Sequence, residues 1–317
     1  MTMTHRERAI LALTLRQPDY VPTFELEYQL ADIEFGKDFL SEDQLKGLSP
    51  KETEKAIREN AEYMVRVYSA LGYSILPLHY LSEEHLKETA RYINRITGGS
   101  FLLTAHGDGT FAIPDGDGML DFVYRIADDP DGVKEEARQM AVAAIERNKR
   151  LLDAGVESFI LCSDYCFNSG PFLSPAMFAE FIQPYLAQII ASIRENGGYA
   201  IKHTDGNIMP ILDQLVECNP HALHSLDPMA GVDMKEVKAR VGGKVALCGN
   251  VHCAYLQTGT DAQVLESCRY AMENGKPGGG YIFCTSNVPF RGMPPERYRM
   301  VLDFWRANRD YAQPTQK

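Results

Sequence analysis

An imidazole and a carboxylate two residues apart, His203 and Asp205, close an apolar run at 199–205 (YAIKHTD). On a strand, positions i and i+2 share a face, so both side chains point the same way and suit one metal ion or one substrate. Ionisable and amide groups recur where other apolar runs end: Glu25 and Glu27, His79, His106 with Asp108, Asp164, Asp227, Asn250 with His252, and Cys284 with Asn287. Plainer readings exist for several. His79 and His252 suit hydrogen bonds to loop backbone, Asp227 suits a turn cap before Pro228, and Glu25 or Glu27 could pair with an arginine. The pair His203 and Asp205 is the hardest to read as purely structural.

The elements that would position these groups follow from apolar patterning. Eight short runs, at 21–28, 74–79, 101–106, 158–164, 199–205, 222–227, 245–250 and 281–287, are mostly continuous in apolar character. That is the pattern of parallel strands covered on both faces. Helix-period segments lie at 51–70, 83–97, 131–154, 175–196, 207–217, 233–241, 261–274 and 295–311. Ser174-Pro175 is a cap followed by a first-turn proline, Gly197-Gly198 is a stop, and Asp233 and Asp261 are further caps. Eight alternations predict a single α/β domain over residues 1–317, a (β/α)8 TIM barrel with an N-terminal helical extension. A doubly wound open sheet is the alternative, but G-x-G-x-x-G is missing after the first run. Gly107-Asp108-Gly109 and Asp115-Gly116-Asp117-Gly118 are too short for a nucleotide or calcium loop and read as turns. In such a barrel the strand ends gather at one face, where active sites form.

A net charge of -11 argues against nucleic-acid or anionic-membrane partners, since both need a basic face. No apolar run approaches the roughly 20 residues of a membrane span. The opening MTMTHRERAI lacks an apolar signal core and reads as the cap of a first helix. Seven cysteines, an odd number without framework spacing, suggest reduced thiols and a cytoplasmic setting.

Further motifs carry a family resemblance. Leu173-Ser174-Pro175 precedes Phe178, Phe181 and Pro184-Tyr185. Then come His203-Thr204-Asp205-Gly206-Asn207, Leu226-Asp227-Pro228 with Gly231 and Asp233, Gly249-Asn250-Val251, Gly259-Thr260, Gly279-Gly280-Tyr281-Ile282 and Pro294-Pro295-Glu296. In this order the sequence from about residue 150 onward resembles the uroporphyrinogen decarboxylase superfamily, and within it the corrinoid-dependent methyltransferases. The resemblance implies a (β/α)8 barrel. The decarboxylases carry an arginine-bearing segment after the first strand for a polycarboxylate substrate. Here that stretch is Phe24-Glu25-Leu26-Glu27-Tyr28, whose acids would repel such a substrate.

The methyltransferase branch implies zinc held by His-x-Cys and a distal cysteine. The chain keeps the histidine at His203 and has Asp205 at the next ligand. It has Asn287 at the distal position, with Cys284 three residues earlier. The implied ligands are therefore His203, Asp205 and Cys284, with Asp164 or Glu25 completing the shell or acting as the acid. His106, Tyr165 and Asn287 are the implied substrate contacts, and Phe111, Phe167, Phe172 and Phe290 suit an aromatic methyl ether. Carboxylate in place of thiolate makes a harder, more Lewis-acidic metal, suited to an oxygen or nitrogen leaving group. The expected reaction is demethylation of a small-molecule methyl donor. The methyl passes to a corrinoid on a partner protein, because D-x-H-x-x-G is missing from this chain. A homodimer is one assembly compatible with this reading. Two other readings stand beside it: a metal-free lyase on a small non-porphyrin substrate with Asp164 or Asp205 as general acid, and a non-catalytic ligand-binding barrel.

Overall fold

The computed structural model describes residues 3–116 and 118–311, so the expected turn at Asp117 lies outside the described residues. Seven parallel strands form one curled sheet in the order β1-β2-β3-β6-β7-β8-β9. They are β1 (Ile75–Leu78), β2 (Leu102–His106), β3 (Ser158–Leu161), β6 (Tyr199–His203), β7 (Ala222–His224), β8 (Ala246–Val251) and β9 (Tyr281–Thr285). β4 (Cys166–Phe167) and β5 (Gly170–Pro171) form a small antiparallel hairpin beyond β3. The helices are α1 (His5–Leu13), α2 (Ala31–Phe35), α3 (Pro50–Leu71), α4 (Glu83–Thr97), α5 (Gly118–Asp128), α6 (Pro130–Leu152) and α7 (Pro175–Phe181). They continue with α8 (Gln183–Glu195), α9 (Leu212–Glu217), α10 (Met234–Val241), α11 (Cys253–Thr258), α12 (Asp261–Gly275) and α13 (Pro295–Asn308). This is the expected TIM barrel, with helices covering the sheet.

The segment around Thr23 closes the barrel between β9 and β1. Phe283 donates its N–H to Pro22 O at 3.0 Å, and Ser74 donates to Thr23 O at 2.8 Å. The run expected at 21–28 is nevertheless not a regular strand, since only Thr23 makes a bridge, to Phe283. Two local causes account for it. Pro22 has no N–H to contribute, and the Glu25 carboxylate, not a backbone carbonyl, accepts the Thr285 N–H at 3.0 Å. Trp305 on α13 fastens the segment by donating to Val21 O at 2.8 Å.

Prolines also break two expected helices. The helix expected at 175–196 divides into α7 and α8 with a 52° bend, because Pro184 lacks a donor and crowds the preceding turn. The helix expected at 207–217 begins as a 3-10 turn at Met209–Ile211, around Pro210, and becomes α9 only at Leu212. The first helix starts where its cap stands: Thr4 Oγ1 accepts from Glu7 N at 3.1 Å, and Glu7 returns a bond to Thr4 N. Among the described residues, no single helix is long and apolar enough to cross a membrane.

Candidate metal centre

β6 ends at His203, and the chain turns across the mouth of the barrel through Thr204 and Asp205. Gly206 takes φ +80, and a Cβ there would collide with the Cys166 carbonyl, so only glycine lets the loop pass against the β4–β5 hairpin. Thr204 Oγ1 accepts from Tyr165 N at 2.8 Å, and Asp205 donates its N–H to Asp164 Oδ1 at 3.0 Å. These cross-links bring the loop after β3 against the loop after β6. Asp164, His203 and Asp205 each offer one ligand atom within 4.8 Å of the others. His203 Nε2 stands 3.7 Å from Asp164 Oδ1 and 3.9 Å from Asp205 Oδ1.

The supporting shell is specific. Asn287 donates from Nδ2 to Asp205 Oδ2 at 2.5 Å, while Asp205 Oδ1 is buried with no hydrogen-bond partner. Burial, with Asp164 and Asp227 nearby, pushes the Asp205 carboxyl up to about 7. Burial likewise lowers His203 to about 4, which makes it a neutral imidazole at ordinary pH. Asp227 accepts from Met229 N at 2.9 Å as the cap of its turn, and from Gly206 N at 3.3 Å. A cavity of about 460 Å³ opens beside the cluster, lined by Asp205, Asp227 and Asn287 and by the apolar Met229, Val288 and Phe290.

These residues fit a divalent ion. A tetrahedral site with bonds of about 2.1 Å separates its ligand atoms by about 3.4 Å, so modest side-chain rotation closes the observed spacing. The partnerless Asp205 oxygen has a natural role there. Two carboxylate oxygens and one imidazole nitrogen are donor types that a divalent ion accepts.

Four expected site residues need correction or relocation. Cys284 faces the barrel interior in register with Asn250, but its buried thiol lies outside the cluster. Its contact is the Ile282 carbonyl at 3.9 Å, and burial pushes its pKa well up, so it stays a protonated thiol. Asp164, not Cys284, stands with His203 and Asp205 in the cluster. Glu25 is 1% exposed and turns away from the mouth, because Phe24 before it packs inward on His224 at 6.0 Å between ring centroids. Its carboxylate accepts from Thr285 N and Oγ1 in the sheet–helix layer, where burial raises it to about 8. Tyr165 is fully buried, with its hydroxyl 2.6 Å from Thr110 Oγ1 and its ring against Phe178, so no face is free for a substrate. His106 is exposed on the rim, 4.7 Å from the His79 ring, and does not join the cluster. Asn287 stands at the cavity as expected, but through Asp205.

Two residues escaped the sequence reading. Lys202 is fully buried and donates to Asp108 Oδ2 at 3.0 Å, Leu161 O at 3.0 Å and Ser163 O at 2.9 Å. The only available signal was a lysine inside an apolar run. His224, on β7, pairs in register with His203.

With this geometry established, comparison with known proteins places the chain. Residues 115–307 match the family described as Uroporphyrinogen decarboxylase (URO-D). The chain belongs to that family. A uroporphyrinogen decarboxylase of Thioalkalivibrio sulfidiphilus (strain HL-EbGR7) is 27% identical over 181 residues, 56% of this chain. The match spans about half of that relative, 49% of its length. In fold, the chain is similar to a methyltransferase from Methanosarcina mazei at a TM-score of 0.73. That likeness covers 96% of this chain and 99% of the other at 15% identity, and so it speaks to the fold.

Proposed function

We propose that this family member is a methyltransferase that removes a methyl group from an oxygen or nitrogen donor and delivers it to a corrinoid on a separate protein. Zinc would be held by Asp164, His203 and Asp205. The observation that carries the reading is the donor set: two carboxylate oxygens and one imidazole nitrogen converge at the mouth, and among the described residues no cysteine joins them. When bound, the metal supplies Lewis acidity at the atom that bears the methyl group. A thiol acceptor would need an electron-rich thiolate shell, and the described cluster has carboxylates in that place.

The chain's own residues do the rest. His203 and Asp164 fix one wall of the site, and Asn287 holds Asp205 so that its partnerless oxygen faces them. Met229, Val288 and Phe290 give the donor's apolar part a place to bury. Neither lysine nor arginine lines that cavity among the described residues, while Asp205 and Asp227 do, which disfavours a polycarboxylate such as a porphyrinogen. Leu120, Val123 and Tyr124 on α5, with Phe167 on the β4–β5 hairpin and Met229, are exposed on elements that follow strand ends, and they suit the approach of a protein partner. The fold likeness to a methyltransferase points the same way. Seven unpaired cysteines and a reduced corrinoid both fit a reducing compartment.

The test is incubation with a reduced corrinoid protein and O-methyl, N-methyl and S-methyl donors in parallel, read from the visible absorption of the methylated corrinoid. Transfer from an ether or amine is expected. Robust uroporphyrinogen decarboxylation, or methylation of a thiol such as coenzyme M without any ether or amine demethylation, would overturn the proposal.

A further inference from the structure

The two buried imidazoles at the floor of the centre share a contact that the ligand set does not explain. His203 and His224 face each other across β6 and β7, and their Nδ1 atoms are 2.9 Å apart. At that distance one proton lies between them, because two N–H groups would clash and two bare lone pairs would repel. His224 is 1% exposed, and its Nε2 is buried without a hydrogen-bond partner. An imidazolium there would leave a buried charge unpaired, so His224 is neutral.

Two arrangements satisfy the shared proton. In the first, His224 holds it on Nδ1 and donates to His203 Nδ1. His203 then carries its own proton on Nε2, aimed at Asp164 Oδ1 and Asp205 Oδ1, 3.7 and 3.9 Å away. His224 Nε2 is left as a bare lone pair, the less costly form for a buried group without a partner. In the second, His203 holds the shared proton on Nδ1 and donates to His224. Only then is His203 Nε2 a lone pair able to bind a cation. The cost is an N–H at His224 Nε2 with nothing to receive it.

We infer that His224 is the positioning residue of the metal centre, and that metal loading switches the tautomers of both His203 and His224. The first arrangement is the metal-free protein and the second the metal-bound one. Each imidazole stays neutral throughout: a proton leaves His203 Nε2 as one arrives at Nδ1, and the reverse happens on His224. The pair therefore releases no net proton on loading. The metal-bound state depends on an acceptor at the His224 Nδ1 position, which turns the His203 ring and fixes its ligating nitrogen. This inference rests on the proposed metal centre.

The experiment compares the wild type, His224→Leu and His224→Asn, which are similar in size. The asparagine carbonyl can occupy the place of Nδ1 as an acceptor. Folding is checked by circular dichroism, and zinc chloride is titrated against a chromophoric competitor. His224→Leu should weaken zinc binding about 10–100-fold, and His224→Asn should restore it to within a few-fold of the wild type. In parallel, long-range proton–nitrogen NMR on protein labelled at histidine reads the tautomers of the wild type directly. It should show His203 protonated on Nε2 without zinc and on Nδ1 with it, and so keeps the inference testable even if His224→Leu does not fold. Bound zinc with equal affinity in wild type and His224→Leu, or tautomers unchanged on loading, overturns this inference and leaves the metal centre standing. A wild type that takes up no zinc, with His203→Ala no different, overturns both.

Discussion

Replacing Lys202 by methionine should destabilise the protein heavily, although Lys202 touches neither the cavity nor the three ligand groups. It sits one residue before His203 on β6, so it points to the other side of the sheet. There its ammonium meets Asp108 Oδ2, two carbonyls and, at 3.9 Å, the ring of Tyr165. Methionine fills most of the volume but removes three charge-assisted bonds, each contributing about 1.5 kcal/mol at the low end of its range. It also leaves the Asp108 carboxylate, whose side chain is 10% exposed, without its counter-ion. Asp108 keeps donors in Ser163 N, Thr110 N and Thr110 Oγ1, which limits the damage. A loss of about 4 kcal/mol follows, within the range for breaking a buried pair. With an unfolding entropy of about 2.1 cal/mol/K per residue, that loss lowers Tm by about 6 °C. The assay is urea and thermal unfolding followed by circular dichroism. Adding Asp108→Asn removes the orphaned charge, so the double variant should recover more than half of the loss. A loss under about 1 kcal/mol, or a double variant no more stable than Lys202→Met alone, would refute the reasoning. A pH signature accompanies it. Burial opposes ionisation of Asp108, but Lys202 and the hydrogen-bond donors outweigh it and lower the pKa. That contribution is present above the ordinary aspartate pKa and fades as pH falls through the lowered value, and in Lys202→Met it should shrink.

His203→Ala and Asp205→Asn should each cut zinc affinity by at least about 100-fold with folding intact, measured by competition titration; undiminished affinity in either would remove that residue from the shell. Asn287→Leu should weaken binding about 10–100-fold by releasing Asp205 Oδ2, and no change would show that the 2.5 Å contact does not orient the ligand. Glu25 is raised from 4.5 to about 8, so its share of stability is complete below pH 4.5 and is lost as pH rises towards 8, at about 1.4 kcal/mol per unit. Glu25→Gln should match the wild type near pH 4.5 and exceed it near pH 8 in urea unfolding, and parallel pH profiles would contradict the assigned burial. Glu25→Gln should also leave zinc binding unchanged, since Glu25 lies in the sheet–helix layer and not at the mouth.

Apolar runs and cap residues determined most of the barrel, because both signals are local. A parallel strand covered on both faces must be apolar throughout, and a helix start must satisfy its first N–H groups, as Thr4 does for α1. Strand alternation pointed to His203 and Asp205 as one cluster, but β6 ends at His203, and it is the loop contacts of Asp205 with Asp164 and Asn287 that hold it there. Prolines 184 and 210 were visible, but how they divide their helices depends on packing against the sheet.

What only the tertiary structure decided is depth and neighbourhood. Asp164 and Cys284 both stand near strand ends, yet the loop contact from Asp205 N to Asp164 Oδ1 brings one into the cluster while β9 buries the other. Phe24 and Glu25 could have exchanged sides, and it is closure of the barrel through Thr23 that turns the carboxylate outward. His224 was one more polar residue in an apolar run until the register of β6 with β7 set it 2.9 Å from His203. Alternation along a strand is a property of one chain segment and can be read from sequence. Register between strands far apart in sequence is chosen by the closed barrel as a whole, and it is there that the third member of the cluster and its neighbours come together.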